Sequence, residues 1–189
     1  IEAKLDARHL GSTPTNLVSL HLPDKQGKWR TVEARLERVE LVREVPVWHG
    51  RIEGDHFSNV TLVPVEGHSV LGLITTSIDK GFRVKPTTRG HVVITTVDPV
   101  TQASDFGRYS TDIGERCAQH SETVAAVPCD HFAELTVAVV FTNKAKEWAG
   151  NSERLDGWVK LAESRTNQCF LQSGVRHRIS VVGLRELVT

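Results

Sequence analysis

The run Leu135-Thr136-Val137-Ala138-Val139-Val140-Phe141 constrains the fold more than any other stretch of this chain. It is uncharged, dense in β-branched residues and bounded by polar ones, the pattern of a buried strand. Asn143 to Asn151 reads as a loop. From Ser152 onward, Leu155, Trp158, Val159, Ala162, Thr166, Cys169 and Phe170 recur at intervals of three and four, which places one stripe along one face of an α-helix. Ser173-Gly174 is its expected stop, because glycine accepts the left-handed backbone that closes a helix. His177 to Val188 follows as a second strand with Ile179, Val181 and Val182 as apolar positions. A strand, a crossover helix and a returning strand make a βαβ unit with parallel strands and a right-handed connection.

The preceding residues carry a different rhythm. Leu17 to Leu22 alternates apolar and polar side chains, and Pro23 to Gly27 is a turn cluster. Two strands are expected between Trp29 and Val45, and a further one from Val47 to Ile52. Asn59 to Val65 and Ser69 to Thr75 flank Glu66-Gly67-His68 as a hairpin, and Phe82 to Lys85 and His91 to Val97 flank Pro86 to Gly90 likewise. Short strands recurring about every ten residues point to a sandwich or a curled antiparallel sheet. Between Thr101 and Ser121 apolar residues thin out in favour of Ser, Thr, Asp and Gly, the composition of an irregular linker. The expected class is therefore α+β: a β-rich domain over 1–99, a linker over 100–131 and the βαβ segment over 132–189.

Lysine plus arginine and aspartate plus glutamate both number 23, so no overall field favours nucleic acid or an anionic membrane as partner. No apolar run approaches the ~20 residues of a membrane-spanning helix. Neither a serine–histidine–aspartate nucleophile motif nor a glycine-rich phosphate loop is recognisable.

Two groups of residues carry a resemblance. The order from Glu134 to Leu187, with Val140-Phe141-Thr142-Asn143-Lys144-Ala145, Thr166-Asn167-Gln168 and Ser173-Gly174-Val175, resembles the first third of the catalytic domain of bacterial reprolysin-like metzincin zinc proteases. Val47 to Ile74, which contains Trp48-His49-Gly50-Arg51-Ile52-Glu53-Gly54, is similar to the pro-region of the same proteases, as are Phe82-Arg83-Val84 and His91 to Pro99. A metzincin holds zinc with His-Glu-x-x-His-x-x-Gly-x-x-His, the glutamate serving as general base. That string is absent from these 189 residues. The resemblance thus implies no catalytic residue, metal or cofactor of the chain's own. It implies instead a non-catalytic inhibitor or chaperone acting in trans on a secreted metzincin-class zinc metalloprotease, as a pro-region acts in cis. Small exported bacterial inhibitors of metalloproteases are similar in this respect. Such a chain is expected to be secreted or periplasmic, with a leader removed. The alternatives are a zymogen portion of a metalloprotease and an extracytoplasmic binding module with a ligand of its own.

The three cysteines divide accordingly. Cys169 falls on the expected apolar helix face and reads as a small buried thiol. Cys117 and Cys129 close a short loop where there is little core, and three readings stand. A disulfide would contribute roughly 3 kcal/mol by restricting the unfolded chain in an oxidising compartment. One thiolate directed at the zinc of a partner protease is the second. A zinc site built from Cys117, His120, Cys129 and His131 is the third. Candidate partner contacts are Trp48 and His49 in the pro-region string, Asp55 as a carboxylate directed at a partner's zinc, His56 beside it, and Trp148 as an aromatic anchor on a polar stretch. His49 and His56, close to Arg51, Glu53 and Asp55, also read simply as outward polar residues of a strand and its turn.

Overall fold

The computed structural model describes residues 2–3, 16–24, 26–65, 69–76, 81–87, 92–97 and 133–187. The first eight strands are β1 (Glu2–Ala3), β2 (Leu17–Pro23), β3 (Trp29–Val42), β4 (Val45–Ile52), β5 (Asn59–Val65), β6 (Ser69–Thr75), β7 (Gly81–Pro86) and β8 (Val92–Val97). They form one antiparallel sheet in the order β1-β8-β7-β6-β5-β4-β3-β2. The sheet is a meander in which β2 to β7 each pair with the next strand in sequence, and β1 adds to β8. Val18 and Leu20 of β2 share a core with Val92 and Ile94 of β8, so the sheet curls until strands far apart in its order enclose one interior. Of the two forms expected for the β-rich part, the curled sheet is the one found.

Period-2 alternation explains the outer strands and fails for the middle ones, with a physical cause. β2 buries every second residue, as its sequence alternates, because only its inner face is covered. In β4, β5 and β6, four consecutive residues are buried, because these strands are covered on both faces. Trp48, Leu62 and Val70 point into the curled interior, whereas their neighbours Val47, Val63 and Leu71 point outward into a second core closed by Leu161.

The β3–β4 hairpin departs from expectation. Trp29 to Val42 is one strand of 14 residues rather than two. A register shift between Leu36 and Arg38 marks a bulge. The turn is Arg43-Glu44, both in the left-handed region with φ of 47° and 66°. This is the two-residue connection that matches sheet twist, made without the Asn or Gly that usually announces it.

After residue 133 the chain forms β9 (Glu134–Thr142), α1 (Asn143–Ala149), α2 (Ser152–Gln172) and β10 (Arg178–Leu187). The expected loop from Asn143 is in fact α1. Thr142 caps it by accepting from the Ala145 N–H, and Asn151 caps α2 by accepting from the Arg154 N–H at 2.8 Å. β10 pairs with β9 in parallel, as the βαβ reading requires. Two expectations about side chains do not hold. The β9 run is a strand, but most of its residues are exposed rather than buried. Helix α2 is turned: Gly157, Leu161, Ser164 and Gln168 are buried, while Ala162 and Cys169 are exposed. Gly157 is required there, since a methyl group in its place would come within 2.6 Å of Leu71 Cδ1 and 2.8 Å of Val65 Cγ1. The close approach of helix to sheet outweighs the roughly 0.5–1 kcal/mol that glycine costs inside a helix.

Candidate functional site

Trp48 and His49 are not surface residues. Trp48 is fully buried, its indole lying where any side chain on Gly50 would collide with it. His49 faces the opposite side of β4, under α2, and is 1% exposed. Both fall on a doubly covered strand, so neither is available to a partner, and His49 is not the outward polar residue its alternation suggests.

His49 belongs to a buried polar cluster that joins three strands to α2. Ser164 donates to Glu40 Oε2 at 2.7 Å, and His49 Nε2 lies 2.8 Å from Ser164 Oγ and 3.2 Å from the same carboxylate oxygen. Thr61 Oγ1 stands 3.5 Å from His49 Nδ1. In a hydrolytic triad the carboxylate and the serine meet opposite nitrogens of the imidazole. Here both meet Nε2, and Ser164 is fully buried, so the cluster is a latch between sheet and helix rather than a proton relay.

The His49 hydrogen bond, helped by Ser164 and Arg38, holds the Glu40 carboxyl below its ordinary 4.5 despite the opposing effect of burial. A depressed carboxyl stabilises the fold above the unfolded value, and that contribution disappears as pH falls through the folded value. Glu40→Gln is therefore expected to be less stable than the parent at pH 7. The gap should close progressively below about pH 4.5, as followed by urea denaturation at several pH values.

The Asp55 and His56 candidates lie in the β4–β5 turn. Asp55 Oδ1 accepts from the Phe57 N–H at 3.1 Å, and the Asp55 carbonyl accepts from Ser58 Oγ at 2.7 Å. The carboxylate thus braces its own turn. Beside it, Phe57 is 85% exposed, an apolar side chain that sequence patterning passes over because its neighbours are polar.

Trp148 lies on α1 and is 51% exposed. It packs against Trp158 of α2 with ring centroids 5.5 Å apart, Lys85 Nζ lies 3.7 Å from its centroid, and the Arg83 guanidinium lies 5.3 Å away. Burial and the neighbouring Arg83 charge lower the Lys85 pKa. One face of Trp148 is thereby fixed over β7, and half of the ring remains open.

The β9–β10 ribbon carries several apolar side chains that are exposed among the described residues. Leu135, Val137 and Val140 of β9 and Val182 and Leu187 of β10 are all exposed. Among the described residues this sheet has two strands only, so each has an open edge. Val181 is the buried residue of β10, and Asn167 of α2 clamps the Ile179 backbone with paired hydrogen bonds of 2.8 and 3.0 Å. The ribbon is thus anchored through β10, and β9 has no cover among the described residues.

Cys117, His120, Cys129 and His131, and with them the disulfide, thiolate and zinc-site readings, lie outside the described residues. Cys169 is an exposed free thiol, contrary to the buried one expected from the helix stripe. Among the described residues, no three His, Cys, Asp or Glu side chains converge as a metal site, and no helix is long and apolar enough to cross a membrane. No protein-family model, curated protein or solved structure matches this chain.

Proposed function

We propose that this chain is a protein-binding module that acts in trans on a secreted metzincin-class zinc metalloprotease, as a prodomain-like inhibitor or chaperone. The observation that carries the reading is the β9 edge, which is unpaired among the described residues. Parallel strands ordinarily have both faces covered, and a two-stranded sheet is marginal in water. An uncharged apolar run from Leu135 to Phe141 on such an edge invites an extended segment of another protein to add as a strand. Half-open Trp148, on the helix that leaves β9, supplies an aromatic contact close in the chain to the same edge. The resemblance of Val47 to Ile74, Phe82 to Val84 and His91 to Pro99 to a protease pro-region, and of Glu134 to Leu187 to a catalytic start, supports this partner class. Inhibition of this kind needs no chemistry from the inhibitor, only occupation of the partner's cleft. Binding that favours the folded partner also assists its folding, through the same linkage.

The test is titration of the purified chain into an active metzincin, following hydrolysis of a peptide substrate. Stoichiometric loss of activity is expected. The double substitution Leu135→Lys/Val140→Lys is expected to weaken inhibition about 30-fold or more, the equivalent of ~2 kcal/mol at an interface centre, without lowering the melting temperature. Neither inhibition nor binding would favour a zymogen portion or a module for another ligand.

A further inference from the structure

Arg83 and Lys85 hold alternate positions of β7, where Phe82, Val84 and Pro86 take the buried face and leave both cations half-buried on the outer one. They are therefore neighbours of like charge. Both converge on Trp148: the Arg83 guanidinium lies 5.3 Å and Lys85 Nζ 3.7 Å from its centroid, and Arg83 is also 5.8 Å from that of Trp158. The rings hold the cations in place without neutralising them. Elsewhere Arg43 and Lys160 share the Asp156 carboxylate at 2.8 and 2.7 Å, and Lys146, on the same helix as Trp148, has Glu186 at 3.3 Å. Glu147, beside Trp148, accepts from Asn143 Nδ2 at 2.9 Å. Among the described residues no carboxylate pairs with Arg83 or Lys85. Burial and the Arg83 charge together disfavour the protonated state of Lys85.

Two cations gathered on one ring without a counter-charge make a surface short of negative charge. A carboxylate placed between them relieves their repulsion and accepts charge-assisted hydrogen bonds from both. Trp148 is 51% exposed, so an apolar side chain next to that carboxylate has a ring to lie on. A nucleic-acid backbone fits less well. Two cations are a short track for phosphates, and the 23 basic and 23 acidic residues of the chain give no overall field to draw one. We propose that Arg83, Lys85 and Trp148 form a docking surface for an acidic protein segment, with a glutamate or aspartate between the two cations and an adjacent apolar side chain on the open half of the indole. The surface lies on β7 and α1, apart from the β9 edge, and rests on the binding role given above only in taking a protein as the partner.

The experiment is a fluorescence-anisotropy titration of the full chain with an N-terminally labelled, C-terminally amidated octapeptide in which glutamate alternates with leucine. It is repeated with glutamines in place of the glutamates, with serines in place of the leucines, and with a labelled oligothymidylate of the same length. No protease is present, so the result does not depend on whether the β9 edge inhibits one. Saturable binding of the glutamate–leucine peptide is expected, weakening as salt is raised, with the glutamine peptide about tenfold weaker or more and the serine peptide weaker as well. The double substitution Arg83→Gln/Lys85→Gln should lose the preference for glutamate over glutamine, and Arg83→Lys should keep it. Equal binding of the glutamate–leucine peptide and either control peptide, tighter binding of the oligonucleotide, no binding at millimolar peptide, or an unchanged preference in the folded double variant would each overturn the proposal.

Discussion

Trp48→Ala is expected to destabilise the protein by about 3–5 kcal/mol, the range for removing a fully buried large aromatic side chain from a core. Trp48 is 0% exposed and belongs to the inner core with Leu62, Val70, Ile74 and Phe82. The site cannot collapse easily. Gly50 sits against the indole and also lies where an added methyl would come within 2.5 Å of the Arg35 carbonyl, so the backbone around the ring is fixed by strand pairing. Gly72 is constrained in the same way opposite Leu62, where an added methyl would come within 2.5 Å of Leu62 Cδ2. Single domains have only some 5–15 kcal/mol of stability in total, so the variant should lose a large part of it. Urea denaturation followed by far-ultraviolet circular dichroism reads the effect as a lowered midpoint. Trp148→Ala supplies the contrast. Its ring is half-exposed and its cation–π contacts are worth about 0.5–1 kcal/mol at such a site. A Trp48→Ala variant of parental stability would show that the indole is not packed as described and would return it to the partner surface.

The two tryptophans show how much of the fold was legible beforehand. Both were candidate partner contacts in the sequence, Trp48 through its string and Trp148 through its polar surroundings, and only packing distinguishes them. Trp48 is drawn inward because β4 is covered on both faces, which a strand read one at a time does not reveal. The β5–β6 and β7–β8 hairpins were legible because Gly67 and the Pro86–Gly90 cluster punctuate them. The β3–β4 hairpin was not, since Arg43-Glu44 takes positive φ without a residue that favours it. Helix α2 was legible in extent from its apolar spacing and the Ser173-Gly174 stop, but not in rotation. Its sheet-facing positions hold Gly157, Leu161, Ser164 and Gln168, which no hydrophobic periodicity selects. Gly157 is there for close approach and Ser164 for its hydrogen bond to Glu40. The β9 run was legible as a strand from composition alone, but composition carries no information about whether another layer lies over it. The exposure of that apolar strand among the described residues is the basis of the binding reading.

Leu161→Ala is expected to cost about 2–5 kcal/mol and to lower a single unfolding transition rather than split it into two. Leu161 is 1% exposed and fills the outer core formed by Val42, Val47, Val63 and Leu71, with Trp158 packed beside it. This contact, together with Arg43 to Asp156 at 2.8 Å and Ser164 to Glu40 at 2.7 Å, docks α2 on the sheet. Undocking of the helix alone is opposed by the way the two cores are built. Val47 precedes Trp48, Leu62 precedes Val63, and Val70 precedes Leu71, each pair presenting one residue to the outer core and one to the inner. A shift of β4, β5 or β6 that relaxes the outer cavity therefore moves inner side chains out of a close-packed interior. Uncovering the outer face also exposes Val47, Val63 and Leu71 to water, each costing about 1.5–3 kcal/mol for a fully buried side chain. Circular dichroism and tryptophan fluorescence, which reports from Trp48 inside the sheet and Trp158 on the helix, should give coincident curves in urea for the parent and for Leu161→Ala. Curves that separate in the variant would show that α2 and the ribbon it carries can leave the curled sheet while the sheet stays folded.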